Sequence, residues 1–362
     1  MNGLKERIAA LIEQEGPLTI ADYMTVCLFD PAHGYYTTRE PFGVEGDFTT
    51  APEISQMFGE LVAIWLYSVW QAAGSPRPVC IAEIGPGRGT LTKDVIRTLS
   101  QIDAGLARDV RFALVEASPR LTQVQKKTLA GSPATLEWYR QVGDLPQLPV
   151  LFVGNEIFDA IPMRQFVHRD GRWRERCVGL SGDGELAFVQ GPGEPDPSLL
   201  PADAGSAEEG SLIELAPARS ALMDAVAGRI ASDGGAGIFF DYGHLQPGYG
   251  DTLQAVRRHA FDDVLARPGE ADLTSHVDFA ALSASAGQHG LAAHVATQGD
   301  FLIAMGLRER AGLLGRSADA ITRERIVGEA RRLAAPDEMG DLFKVLAVTP
   351  HGLVPPGFAG RD

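Results

Sequence analysis

Two short stretches carry residue types whose spacing could do chemistry. In the first, the apolar run VCIAEI leads into Glu83-x-Gly85-x-Gly87-x-Gly89 and then TLTKDVIRTL, whose Leu91, Val95 and Leu99 share one helical face. Strand, glycine loop and helix in that order let a nucleotide-like ligand approach the backbone with no Cβ in the way. A dinucleotide fingerprint would place its third small residue at position 90, which is Thr90. A carboxylate at Glu83 would sit badly beside a pyrophosphate, because like charges close together cost free energy. It suits the ammonium of a methionine moiety, directly or through amides and water. Glu116, at the end of the next apolar run VRFALVE, can accept from ribose hydroxyls. The expected cofactor is therefore S-adenosylmethionine rather than NAD. Taken singly, the glycines could be a tight turn and Glu116 a solvated helix-start acid.

The second stretch is GNEIFDAIP, where Asn155, Glu156 and Asp159 stand at the carboxyl end of VLFV. Open α/β sheets bind ligands at that edge. Methyl transfer to nitrogen needs a lone pair in line with the S–CH3 bond and acceptors for the nitrogen's proton. An arginine target is the harder case, since its pKa lies above ~12; carboxylates can clamp it and orient one terminal nitrogen. Asn155, Glu156 and Asp159 are the expected catalytic residues, although capping of a following helix would need the same residue types. Asp241, Tyr242 and His244 of FFDYGH join the same edge. In the block EGDFTTAPEISQMFGE, Glu53 and Gln56 open a helix, and the segment could fold over the cofactor or simply make a turn. Asp272, His276 and Asp278 invite a metal reading, but no second ligand cluster has suitable spacing, so no metal is expected.

The elements that must position these residues are legible as a series. VCIAEI, VRFALVEA, VLFVGNEIF and GIFFDY are near-continuous apolar runs, as buried parallel strands require, and LAAHVATQ and LFKVLAVT read as two more. Amphipathic segments lie between them, one beginning at a Ser118 cap with Pro119 in the first turn. The expected fold is α/β: a doubly wound, Rossmann-like, seven-stranded methyltransferase sheet with an N-terminal helical cap and a β-rich insertion. The expected divisions are 1–78 for the cap and substrate region, 79–163 for the first part of the core, 164–215 for the insertion, and 216–362 for the remaining core with helical additions.

Composition narrows the function classes. The formal charge of −15 disfavours nucleic acid, which calls for a basic footprint, and favours small molecules or basic protein segments. No run is long enough to insert in a membrane. Cys27, Cys80 and Cys177 form no disulfide framework, and the first residues read as a helix rather than a leader, so a cytoplasmic location is expected.

GDFTTAPEISQMFGE, EIGPGRGTLTKDVIR, NEIFDAIP, GDTLQAVRRH, PGEADLTSHVDF and MGDLFKVLAV, in this order, are similar to blocks of the MidA-like methyltransferase family. The resemblance runs from about residue 5 to 350. It implies a class I S-adenosylmethionine-dependent methyltransferase with helical additions. The family's mitochondrial member methylates arginine and assists assembly of respiratory complex I. The implied partner is thus a protein substrate, a complex I subunit of the 49 kDa type or its bacterial counterpart, and the implied product a symmetrically dimethylated arginine. Matched residue by residue, the cofactor loop falls on Glu83, Gly85, Gly87, Arg88 and Gly89, and the strand-end motif on Asn155, Glu156 and Asp159. From the TAPE block, Pro52 and Gln56 join the expected cofactor contacts. An rRNA adenine dimethylase shares the EIGPG-type loop, but here Glu156 and Ile157 follow Asn155 where that family carries its proline and stacking residues. A non-catalytic assembly chaperone on the same fold is the remaining alternative.

Overall fold

The computed structural model describes residues 3–38 and 49–358. The opening of the GDFTTAPE block, residues 46–48, lies outside the described residues. The chain divides into two compact units, each assembled from separated segments. One comprises Thr49–Ile157, Ala221–Leu245 and Phe279–Asp362; the other comprises Met1–Phe48, Phe158–Ser220 and Gln246–Asp278.

The larger unit is built on a central sheet. Its strands are β1 (Cys80–Ile84), β2 (Arg111–Val115), β3 (Thr135–Tyr139), β4 (Val150–Asn155), β5 (Gly235–His244), β6 (Leu291–Thr297) and β7 (Phe343–Pro350). They lie in the order β6-β7-β5-β4-β1-β2-β3. The pairs from β5 through β4, β1 and β2 to β3 are parallel, and β7 runs antiparallel to both β5 and β6. Strand order reverses between β1 and β4, and such a switch point opens a crevice at the carboxyl ends of the strands. The fold class expected from the apolar runs is the one observed. One strand escapes that pattern: β3 is half-buried and ends the strand order beside β2, so TLEWY is neither a continuous apolar run nor a clean alternation.

Helix α1 (Gln56–Ala72) buries Phe58, Leu61, Trp65 and Val69 in the same core cluster as Ile81, Phe112 and Leu151 of the sheet. Helix α2 (Thr90–Ile102) lies against it, burying Leu91, Val95 and Leu99. Gly59 makes the close approach possible, since a Cβ there would stand 2.6 Å from the Asp94 Cβ. Helix α3 (Pro119–Thr128) starts at Ser118, whose hydroxyl accepts from the Leu121 N–H.

The smaller unit carries helices Gly3–Glu15 and Ile20–Phe29 and an antiparallel sheet. The sheet includes strands Arg164–Arg169, Arg172–Leu180, Leu186–Gln190 and Leu212–Leu215. Its core gathers Leu4, Ile8, Tyr23, Leu28, Met163 and Val178.

Candidate active site

The site begins with a turn that only glycine forms cheaply. Gly85, Gly87 and Gly89 have φ of +63°, +51° and +82°, the left-handed region that is costly for other residues. Gly85 is crowded as well: a Cβ would lie 2.8 Å from Ile157 Cγ2. Glu83, at the end of β1, is 5% exposed and holds the far side of the turn. Its Oε2 accepts from the Thr92 N–H at 3.0 Å and from the Thr92 hydroxyl. One of the orphan donors at the start of α2 is satisfied in this way. Burial pushes the Glu83 carboxyl up to about 7, the Thr92 bonds oppose that rise, and the charge of Glu116 adds to it.

Gln125 links this loop to the acid on β2. It is fully buried, and its Nε2 donates to the Gly87 carbonyl at 2.9 Å and to Glu116 Oε2 at 3.0 Å. Its Oε1 accepts from Trp138 Nε1 at 3.0 Å. The other Glu116 oxygen accepts from the Ser118 N–H at 2.7 Å, and burial raises the Glu116 carboxyl above its ordinary range. Sequence reasoning missed Gln125. Its signal was present: Leu121 and Gln125 stand one turn apart on the inward face of α3, so a polar residue interrupts an apolar stripe.

The TAPE block borders the same loop. Glu53 accepts from the Thr90 hydroxyl, and its Oε2 lies 3.8 Å from Arg88 Nη1. Pro52 sits half-buried in the short helix Ala51–Ile54. Gln56 is exposed, and its Oε1 accepts from Arg97 Nη1 of α2 at 2.9 Å. Arg97 and Arg310 also converge on buried Glu60, so this face joins three helical segments.

Asn155 and Glu156 lie at the crevice edge of β4, one step beyond the Ile84–Gly154 pair with β1. Glu156 has φ of +52°, an uncommon conformation for a residue with a side chain. Its N–H donates to the Phe240 carbonyl at 2.8 Å, which anchors that backbone. Asn155 Nδ2 donates to Glu156 Oε1 at 2.9 Å, while Asn155 Oδ1 is buried with no hydrogen-bond partner among the described residues. A buried acceptor left without a donor is costly, and such atoms mark places where a ligand donor belongs. Asp241, at the end of β5, is fully buried and accepts from the Tyr242 N–H.

Asp159 belongs to the smaller unit. Its backbone carbonyl accepts from Arg219 Nη2 at 3.0 Å and from the Ser275 N–H. Arg219 is 3% exposed and also donates to the carbonyls of Ile161 and His276 and to the Ser275 hydroxyl. This buried guanidinium, also missed in the sequence, fixes the segment after Asp159. In the same unit Asp272 is buried and accepts from the Tyr36 hydroxyl at 2.9 Å.

The comparisons agree on one class of protein. Residues 61–297 match the model of an S-adenosyl-L-methionine-dependent methyltransferase family. The mitochondrial protein arginine methyltransferase NDUFAF7 of Danio rerio is 35% identical over 95% of this chain and 86% of its own length. The Homo sapiens protein of that name is 35% identical over 94% of this chain and 82% of its own. The chain belongs to this methyltransferase family. A superfamily member from Burkholderia thailandensis, solved with S-adenosyl-homocysteine bound, superposes with a TM-score of 0.84 at 26% identity, covering 99% of this chain and 95% of that one.

The enzyme is thus a methyltransferase whose cofactor is S-adenosylmethionine. Its residues fit that group: three left-handed glycines leave backbone uncovered beside the Glu83 and Glu116 carboxylates. One expectation is overturned. The curated relatives are named as mitochondrial proteins, against the cytoplasmic location expected from the cysteines and the helical opening residues. Cysteine spacing and an amphipathic opening segment carry no address.

Proposed function

We propose that this methyltransferase symmetrically dimethylates an arginine side chain of a protein, on a respiratory complex I subunit of the 49 kDa type or its counterpart, and so aids assembly. The names of the curated relatives support arginine as the target. The observation that carries the reading is the Asn155–Glu156 pair, with a carboxylate and an unpartnered amide oxygen at one strand end. When bound, S-adenosylmethionine supplies an electrophilic methyl group.

Glu156 accepts hydrogen bonds from the guanidinium and aims one terminal nitrogen, and Asn155 Oδ1 accepts a further N–H. The carboxylate then takes the proton that the methylated nitrogen releases. Asp159 is assigned the same kind of role from the Asn-Glu-x-x-Asp motif itself. Gly85, Gly87 and Gly89 admit the cofactor, Glu116 accepts from its ribose, and Glu83 organises the loop near its amino group. Pro52 and Gln56 are proposed to border the cofactor from the TAPE segment.

The test pairs calorimetry with peptide mapping. Glu156→Gln and Asp159→Asn should lower turnover by about 100-fold or more while leaving S-adenosylmethionine affinity nearly unchanged. Wild-type turnover in both would remove them from the proposed clamp. Mapping the complex I subunit from cells with and without the enzyme tests the substrate, and an unchanged arginine methylation pattern would refute it.

A further inference from the structure

The stretch RDGRWRERC builds an unusual surface. Asp170 and Gly171 take φ of +50° and +69°, the turn of a two-residue hairpin joining strands Arg164–Arg169 and Arg172–Leu180. The register pairs Arg169 with Arg172, Val167 with Arg174, and Gln165 with Arg176. Side chains alternate between faces along a strand, and directly paired residues share a face. Arg169, Arg172, Arg174 and Arg176 therefore stand on one face. Trp173, Glu175 and Cys177 go to the other and are buried. Four arginines on one sheet face run against the net charge of −15.

This face floors a groove of about 620 Å³, lined among others by Arg169, Arg174, Arg176, Phe188, Gln190 and Tyr249. Phe188 and Tyr249 are 38% and 39% exposed. The Arg176 guanidinium lies 3.5 Å from the centroid of the Phe188 ring, so cation and aromatic face form one surface. Arg176 donates to Asp251 Oδ2 at 2.6 Å, and Arg174 pairs with Glu194. Arg169 and Arg172 have no ion-pair partner among the described residues. Like charges directly opposite on a sheet repel, so this pair lacks the carboxylates that would quiet it.

We propose that this groove docks an acidic, extended segment of the protein substrate. An extended peptide with acids at alternate positions repeats on one face every ~7 Å, the same period as Arg172, Arg174 and Arg176 along their strand. Arg169 in the groove lining, and exposed Arg172 paired with it across the hairpin, take carboxylates outright. Arg174 exchanges its exposed partner Glu194 for an incoming carboxylate at little cost, because such pairs are weak, while Arg176 keeps Asp251 and contributes its stacked guanidinium. Phe188 and Tyr249 offer apolar contact between the charges. A nucleic acid suits the chain less well, since the formal charge of −15 repels a long phosphate run beyond the arginine row. The inference rests on the reading of a protein substrate but not on which residue is methylated.

The test is fluorescence anisotropy of the full chain with labelled oligoglutamate, oligolysine and single-stranded oligouridylate, with S-adenosylmethionine titrated in parallel. Oligoglutamate should bind, weaken as salt rises, and lose about tenfold or more in affinity in the double variant Arg169→Glu and Arg172→Glu. Both positions are exposed, so the variant should keep wild-type S-adenosylmethionine binding. Equal oligoglutamate binding by variant and wild type, no binding by wild type, or tighter binding of oligouridylate would each overturn the docking site. Arginine-dependent peptide binding by a chain that methylates no arginine would uphold the groove and refute the proposed activity instead.

Discussion

Glu83 does its structural work while carrying a perturbed proton equilibrium. Its carboxyl is pushed from the ordinary 4.5 up to about 7, with burial the largest cause. Between those values the folded chain keeps a proton that the unfolded chain has released. The stabilising contribution is therefore complete below the unfolded value and is lost as pH rises through about 7. Its full size is on the order of 3 kcal/mol. Glu83→Gln cannot ionise, yet its amide oxygen can still accept from Thr92. The difference in melting temperature between wild type and variant should change in the variant's favour from pH 5 to pH 7.5. A pH-independent difference would show that Glu83 titrates normally.

At the scale of elements, the loop depends on how α1 and α2 meet. Ala is a better helix former than Gly by ~1 kcal/mol, so Gly59→Ala would stabilise an isolated helix. Here the added Cβ would lie 2.6 Å from the Asp94 Cβ, which cannot swing aside as a flexible side-chain end could. Overpacking of this kind costs ~1–3 kcal/mol, so urea denaturation should report a net loss of about 1 kcal/mol; a gain would mean that the helices part freely. The buried strands were legible because burial on both faces leaves continuous apolar runs, and the glycine loop because positive φ demands glycine. β3 was not, since an edge strand carrying Thr135 and Glu137 has no such signature. The helical pattern of α1 was plain, but periodicity identifies a buried face and not the partner it meets, so its place in the sheet's core cluster was hidden. Gln125 and Arg219 were missed for a related reason: several of their partners are backbone carbonyls, which every sequence offers everywhere.

At the scale of the whole molecule, charge should govern capture of the substrate more than its conversion. Lys and Arg number 32 against 47 Asp and Glu, so the chain presents a net negative field to an approaching basic segment. The arginine row of the smaller unit adds a local patch of opposite sign, which suits an acidic segment elsewhere on the same partner. Both attractions act across water before contact, where the screening length is about 8 Å at physiological salt and about 3 Å at 1 M. Once the target is bound, its contacts are short and partly dry, and salt reaches them poorly. Raising NaCl from ~50 to ~500 mM should therefore raise KM for the protein substrate several-fold and leave kcat nearly constant. Steady-state methylation at saturating S-adenosylmethionine measures both. A fall in kcat at constant KM would move the electrostatic contribution from encounter to the methyl-transfer step, and would place the decisive charges at the strand edge rather than on the surface.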